Sequence, residues 1–238
     1  MEYNGDELIL VTGAPGSRWS ATCRAISFNK AINNSDEKEE WKYDRVTNDV
    51  NTGEKKEHGW HRGAYWGPYH NQGSKFDRLD LLSKKDIIEE FKKPFSNWKD
   101  GKKIIKSHWF SYHLPRLKDL FPNAIIMAVY MPDDFCFDWW HKVGGWNITY
   151  PHYNWYKNDQ TMIKQIQIEN EKIKNFFELK HYTLYEILDN CGLPVEIPSD
   201  DELDLQDDKL RSLTEEKDYT YKELLELVIK RNKMGIVK

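Results

Sequence analysis

The stretch Leu8–Ser20, LILVTGAPGSRWS, decides the fold class. Its first half holds four consecutive aliphatic residues, Leu8, Ile9, Leu10 and Val11, which predict a short buried strand over Glu7–Thr12. Gly13-Ala14-Pro15-Gly16-Ser17 then makes a tight loop. From Trp19 to about Ile32 the spacing of Trp19, Cys23, Ile26 and Lys30 is helical. Strand, small-residue loop and helix in that order cradle an anion. Small side chains let backbone N–H groups approach it, and the helix N-terminus adds its dipole. The eight residues Gly13–Ser20 have the length of an ATP-binding phosphate loop but not its pattern. Trp19 stands where that loop needs Lys, and Arg18 replaces the preceding Gly. An anion site is expected here, and ATP hydrolysis is disfavoured.

Outward from this stretch, strands and helices alternate. Lys103–Ser107 predicts a strand centred on Ile104 and Ile105, and Ala124–Tyr130 a continuously apolar strand covered on both faces. Helices are expected over Leu79–Phe91, with Ser83 capping its main part, and over Phe110–Leu120, Asp133–Lys142, Asp159–Phe177 and Thr183–Asn190. Asn33–Lys56 is polar and turn-rich. The alternation implies an α/β chain with a mostly parallel central sheet. Ligands in such sheets bind at the carboxyl ends of the strands, which gathers the Gly13 loop, the Ser107-His108 turn and the Tyr130 turn.

Composition bounds the function. The 238 residues carry a formal charge of −4, 31 % charged side chains and a mean hydropathy of −0.81. Ten Trp, thirteen Tyr and ten Phe nevertheless require a folded, aromatic-rich interior or site. The longest apolar run, Ala124–Met131, is eight residues and far too short to span a membrane. The acidic start, Met1 to Glu7, has no apolar signal core behind it. Three scattered cysteines, Cys23, Cys136 and Cys191, fit neither a disulfide framework nor a metal site, so a cytoplasmic setting is expected. Ser199–Asp218 holds nine acids and three bases, a net of −6, and Tyr219–Lys238 holds five bases and two acids, a net of +3. The remainder is nearly neutral, which argues against a nucleic-acid surface. The predicted organisation is therefore an α/β domain over residues 1–198, an acidic connector over 199–218 and a C-terminal amphipathic helix over 219–238. Leu224, Leu225, Leu227, Val228 and Ile229 in that helix would dock on their own core or on a second copy of the chain.

Three motifs in order resemble the PAPS-dependent sulfotransferase superfamily. The first is a Gly-x-Pro-x-Ser loop, matched by Gly13, Pro15, Ser17 and Ser20. The second is a strand ending Lys-Ser/Thr-His before a Leu-Pro turn, matched by Lys106-Ser107-His108 and Leu114-Pro115. The third is Phe-Pro, an apolar strand and a Pro/Asp turn, matched by Phe121-Pro122, Ala124–Val129, Pro132 and Asp134. Spacing and order agree over about Leu8–Trp146. The resemblance implies a P-loop-type three-layer sandwich, transfer of a sulfuryl group from 3′-phosphoadenosine 5′-phosphosulfate (PAPS), and a small-molecule or glycan acceptor. It also implies that Gly13, Ala14, Pro15, Gly16, Ser17, Arg18, Trp19 and Ser20 hold the 5′-phosphosulfate. Three positions depart from the family pattern. A Lys or Arg is usual at Gly16, an Arg at Tyr130 and a Ser at Asp138, the last two holding the 3′-phosphate.

Sulfuryl transfer needs positioning, positive charge on peripheral oxygens and a base for the acceptor proton. His108 suits the base and Lys106, two residues earlier on the same strand face, the charge. His58, Trp60, His61, Tyr65, Trp66 and His70 in one glycine-rich loop, with Trp109 and Trp146, are expected to line an aromatic-walled acceptor pocket. His58, His61 and His70 lack the nearby fourth ligand that zinc requires, so no metal is expected. Glu169–Lys180 reads as a solvated charged face. Two other functions stay open: a P-loop kinase of a nucleotide or small metabolite, with Asp133 and Asp134 as magnesium ligands, and a non-catalytic binding protein that retains the fold.

Overall fold

A computed structural model describes residues 3–36, 46–48, 55–57, 63–66, 73–144, 158–195, 229 and 232–238. In chain order the elements begin with β1 (Leu8–Gly13), α1 (Trp19–Ser27), β2 (Val46–Asn48), β3 (Lys55–Glu57) and β4 (Ala64–Tyr65). A 3-10 helix (Gly73–Leu81), α2 (Lys84–Lys92), β5 (Lys103–Lys106), a second 3-10 helix (His108–Tyr112) and α3 (Leu114–Leu120) follow. The remainder is β6 (Ile125–Tyr130), α4 (Asp133–Gly144), α5 (Asp159–Phe176), α6 (Leu184–Asn190) and β7 (Lys233–Val237).

Five strands form one mixed, mostly parallel sheet in the order β4-β5-β1-β6-β7. Strand β1 lies at its centre, parallel to β5 (Ile9 beside Ile104) and to β6 (Ile9 beside Ile125), and every one of its residues is buried. Alternate residues face opposite sides. Ile9, Val11, Ile104, Met127 and Val129 pack with α1 and α6, while Leu8, Leu10, Ile105, Ile126 and Ala128 pack with Phe91, Phe110, Leu117 and Ile173. A core on each face explains why β1 and β6 are unbroken apolar runs. β2 and β3 pair separately as an antiparallel two-stranded sheet, all but Glu57 of it inside the stretch Asn33–Lys56 expected to be turn-rich.

Local chemistry sets the helix limits. Ser83 with Asp86, Asn158 with Thr161 and Thr183 with Glu186 form reciprocal capping boxes that start α2, α5 and α6. The helix expected to run from Trp19 to Ile32 ends at Ser27. Beyond it, Asn29 accepts a hydrogen bond from Ala31 N at 3.0 Å and donates to the Pro194 carbonyl at 2.6 Å, a local turn that replaces helical bonding. The single helix expected over Phe110–Leu120 is split, because Pro115 fits only the first turn of α3 and forces a new start there.

The C-terminal appendage is corrected in part. Ile229 is helical and buried, but Lys233–Val237 is a strand, antiparallel to β6 with Ala128 beside Gly235. Met234 points into the core beside α1, and a Cβ on Gly235 would fall 2.2 Å from that of Phe177. The hydrogen bonds that β6 offers make this segment a strand, and glycine lets it pass over the aromatic ring. The expected connector and most of the residues of the expected C-terminal helix lie outside the described residues. No helix among the described residues is long and apolar enough to cross a membrane.

Candidate functional site

Four parallel strands, β4, β5, β1 and β6, present their carboxyl ends at one edge of the sheet, and antiparallel β7 brings its amino end there. Hydrogen bonds stitch the segments leaving that edge. Ser107 N donates to the Val11 carbonyl at 3.1 Å, Trp66 N to the Lys106 carbonyl at 2.9 Å, and Ser107 Oγ to the Trp66 carbonyl at 2.8 Å. Asn232 Nδ2 reaches the Ser17 carbonyl at 3.4 Å.

The loop after β1 is tightly constrained. Gly16 has φ +81°, and a Cβ there would fall 2.0 Å from the backbone oxygen of Cys136 on α4. That contact leaves no room for a side chain at this position, because the backbone of α4 stands where it would begin. Arg18 adopts a left-handed conformation (φ 64°) at the start of α1. Its guanidinium lies 3.7 Å from the Trp139 ring centre and 5.2 Å from that of Phe135, so a cation is held between the loop and α4. Helix α1 has no side-chain cap and no acid in its first turn. The hydroxyls of Thr12, Ser17 and Thr22 and the side-chain oxygen of Asn232 are buried without a hydrogen-bond partner. Buried polar atoms normally find one, so their grouping about a loop and helix N-terminus suits a ligand.

His108 is fixed against the loop. Its Nδ1 lies 2.7 Å from the Gly13 carbonyl oxygen and 3.3 Å from Glu169 Oε2. A carbonyl can only accept, so Nδ1 must carry the proton, and in the neutral ring the lone pair lies on Nε2. Glu169 is fully buried. Its other oxygen accepts from Gln165 Nε2 at 2.8 Å, and the same amide nitrogen donates to the Tyr112 hydroxyl oxygen at 2.6 Å. Burial, then the charge of Glu169, push the Tyr112 phenol far above its ordinary range, so it stays neutral. Trp19 lies over His108 with ring centres 4.4 Å apart, and Tyr65 meets both rings edge-on at 5.8 and 6.0 Å. Lys106 is buried with its Nζ 5.9 Å from the Tyr65 ring. Its charge also reaches Cys23, whose thiol burial pushes up to about 11.

Of the residues expected from sequence, the structure gathers Gly13, Ala14, Pro15, Gly16, Ser17, Arg18, Trp19, Ser20, Tyr65, Lys106 and His108 at this edge. Trp66 and Trp109 are buried in the core cluster that also holds Phe76, Phe91 and Phe110. The ring of Trp66 lies 5.5 Å from Phe76 and 5.6 Å from Phe91, so it fills an interior that apolar burial stabilises by about 2–3 kcal/mol per such ring. Tyr130 packs against that same core, whereas Asp138 is exposed on α4. His58, Trp60, His61, His70 and Trp146 lie outside the described residues. Among the described residues, no group of His, Cys, Asp and Glu is arranged to hold a metal.

Glu169 is the site residue that sequence reading placed wrongly, on a solvated face. It belongs to the buried stripe Met162, Ile166, Glu169, Ile173 of α5, and a charge inside an apolar stripe is the signal that finds it. No protein-family description, no curated protein and no solved structure matches this chain.

Proposed function

We propose that the chain is a sulfotransferase-like enzyme that moves a sulfuryl group from PAPS to a hydroxyl- or amine-bearing acceptor, with His108 as the base. The observation that carries the reading is the 2.7 Å contact between His108 Nδ1 and the carbonyl of Gly13. It ties the candidate base to the first residue of the anion loop and leaves its basic nitrogen on the other side of the ring. The central place of β1 agrees with a P-loop-type sandwich. The chain passes from β1 to one side of the sheet and returns to the other, and ligands bind at such switch points.

The residues fit the 5′ end of the donor. The uncapped start of α1, the buried hydroxyls of Ser17 and Thr22 and the cation of Arg18 suit a phosphosulfate. The donor supplies the activated sulfuryl group. Lys106 balances charge on the peripheral oxygens, and His108 Nε2 accepts the proton of the acceptor. Trp19 and Tyr65 cover the imidazole and limit water beside it.

Calorimetry with 3′,5′-adenosine bisphosphate tests the donor, and labelled PAPS offered with a panel of sugars and phenols tests the transfer. Wild-type protein is expected to bind the bisphosphate, and Arg18→Ala at least tenfold more weakly. His108→Ala is expected to keep that affinity and lose transfer by about 10²–10⁴-fold. Absence of binding at millimolar bisphosphate refutes the reading and favours a fold kept for another ligand.

A further inference from the structure

A carboxylate is an expensive occupant of the position that Glu169 fills. The neighbouring buried residues of its helix include Met162, Ile166 and Ile173, and a Leu at 169 would cover the sheet without desolvating a charge. Instead, both oxygens of Glu169 are committed, Oε2 to His108 Nδ1 at 3.3 Å and Oε1 to Gln165 at 2.8 Å. Gln165 is held in turn: its amide nitrogen spends one hydrogen on Glu169 and the other on the Tyr112 oxygen. Tyr112 closes the 3-10 helix that begins at His108, so the chain of contacts returns to the element that carries the base.

We propose that Glu169 is a positioning residue for His108, kept in place by Gln165 and Tyr112. This rests on the sulfuryl-transfer reading and names what makes His108 competent in it. With Gly13 O, Glu169 fixes the proton on Nδ1 and so aims the lone pair of Nε2 at the acceptor. During transfer the acceptor O–H bond breaks and its proton forms a bond to Nε2. The acceptor oxygen bonds to sulfur while the bond from sulfur to the 5′-phosphate oxygen breaks, its electron pair leaving with the phosphate. His108 then carries a positive charge in a dry site, and Glu169 is the anion that faces it, the role of the acid in a Ser-His-Asp triad. His108 later releases the proton to water.

Two measurements on the intact chain test this. Nitrogen-15 spectra of His108 in the resting wild-type protein need no substrate. They are expected to report a protonated Nδ1 and an unprotonated Nε2 in the neutral ring, and the opposite tautomer overturns the proposal. Glu169→Gln keeps the shape and removes the charge. It is expected to lower kcat by about 10²-fold or more while the KM for donor and the affinity for 3′,5′-adenosine bisphosphate stay within twofold. Tyr112→Phe, which only loosens the chain at Gln165, is expected to lose about 3–10-fold in kcat. Full kcat in a folded Glu169→Gln overturns the positioning role. Failure of wild-type protein to transfer sulfate refutes the parent reading instead, and the tautomer result separates the two failures.

Discussion

Replacing Gly16 by Ala probes the contact on which the loop after β1 is built. Two costs are expected. Alanine at φ +81° adopts a left-handed conformation that costs an L-residue about 1–2 kcal/mol. Its methyl would also fall 2.0 Å from the Cys136 oxygen and 2.8 Å from the carbonyl carbon, both backbone atoms of α4. They cannot swing aside as a side-chain tip would, so the loop or α4 must shift, an overpacking that adds about 1–3 kcal/mol. Gly192 supplies the control. Its φ is +59°, but its nearest neighbours are atoms of the flexible Lys102 side chain at 3.9 Å, so Gly192→Ala pays only the backbone cost. Urea unfolding should therefore show a loss of about 2–5 kcal/mol for Gly16→Ala against about 1–2 kcal/mol for Gly192→Ala. Gly16→Ala should also weaken bisphosphate binding, because α4 carries the rings that hold Arg18. Equal losses in the two variants, within about 0.5 kcal/mol, would show that α4 does not press on the loop.

Two further outcomes follow from local chemistry. Ser83→Ala removes the capping box of α2 and should cost about 1 kcal/mol at pH 7 in urea unfolding. Hydrogen bonds from Ser83 hold the Asp86 carboxyl below its ordinary value, so the benefit is complete above about pH 4 and fades as pH falls through the lowered value. The penalty of Ser83→Ala should therefore shrink at pH 3, and an unchanged penalty would refute the pairing. Burial pushes the thiols of Cys23 up to about 11 and of Cys136 and Cys191 up to about 12. A disulfide reagent at pH 8 should label none of them within minutes in native protein and all three in urea. Rapid labelling of any one in the native state contradicts its burial.

Much of the fold was legible because the elements that define it depend on contiguous residues. β1 and β6 announce themselves as apolar runs, and the caps Ser83 and Thr183 mark helix starts within a few residues of the chain. The losses have a common cause in distance. The two residues of β4 and the five of β7 are strands only because β5 and β6 offer them hydrogen bonds, and no local periodicity marks so short a piece. Trp66 resembled a pocket wall because it sits in a glycine-rich aromatic loop, and Trp109 because it directly follows His108 in sequence. Strand alternation and the start of a helix turn them to the far core. Glu169 lies 61 residues from His108, so its burial could be suspected from the stripe on α5 but its partner could not be named. Lys106, His108 and the loop were legible because the chemistry they suggest sits within two short motifs.

β7 carries a consequence for how the molecule assembles. It pairs with β6 across a long stretch of intervening chain, and Asn232 meets Ser17 over 215 residues, among the most remote partners in the fold. Closing so large a loop costs entropy before any contact returns it, so this pairing is expected among the last steps of folding. Until then, β6 presents Ile-Ile-Met-Ala-Val-Tyr as an open edge with no proline and no charge. Such an edge invites pairing with the same strand of another molecule. The strand that brings Asn232 to the loop is thus also the one that ends the window for aggregation, and refolding yield should fall steeply with protein concentration if β7 is removed.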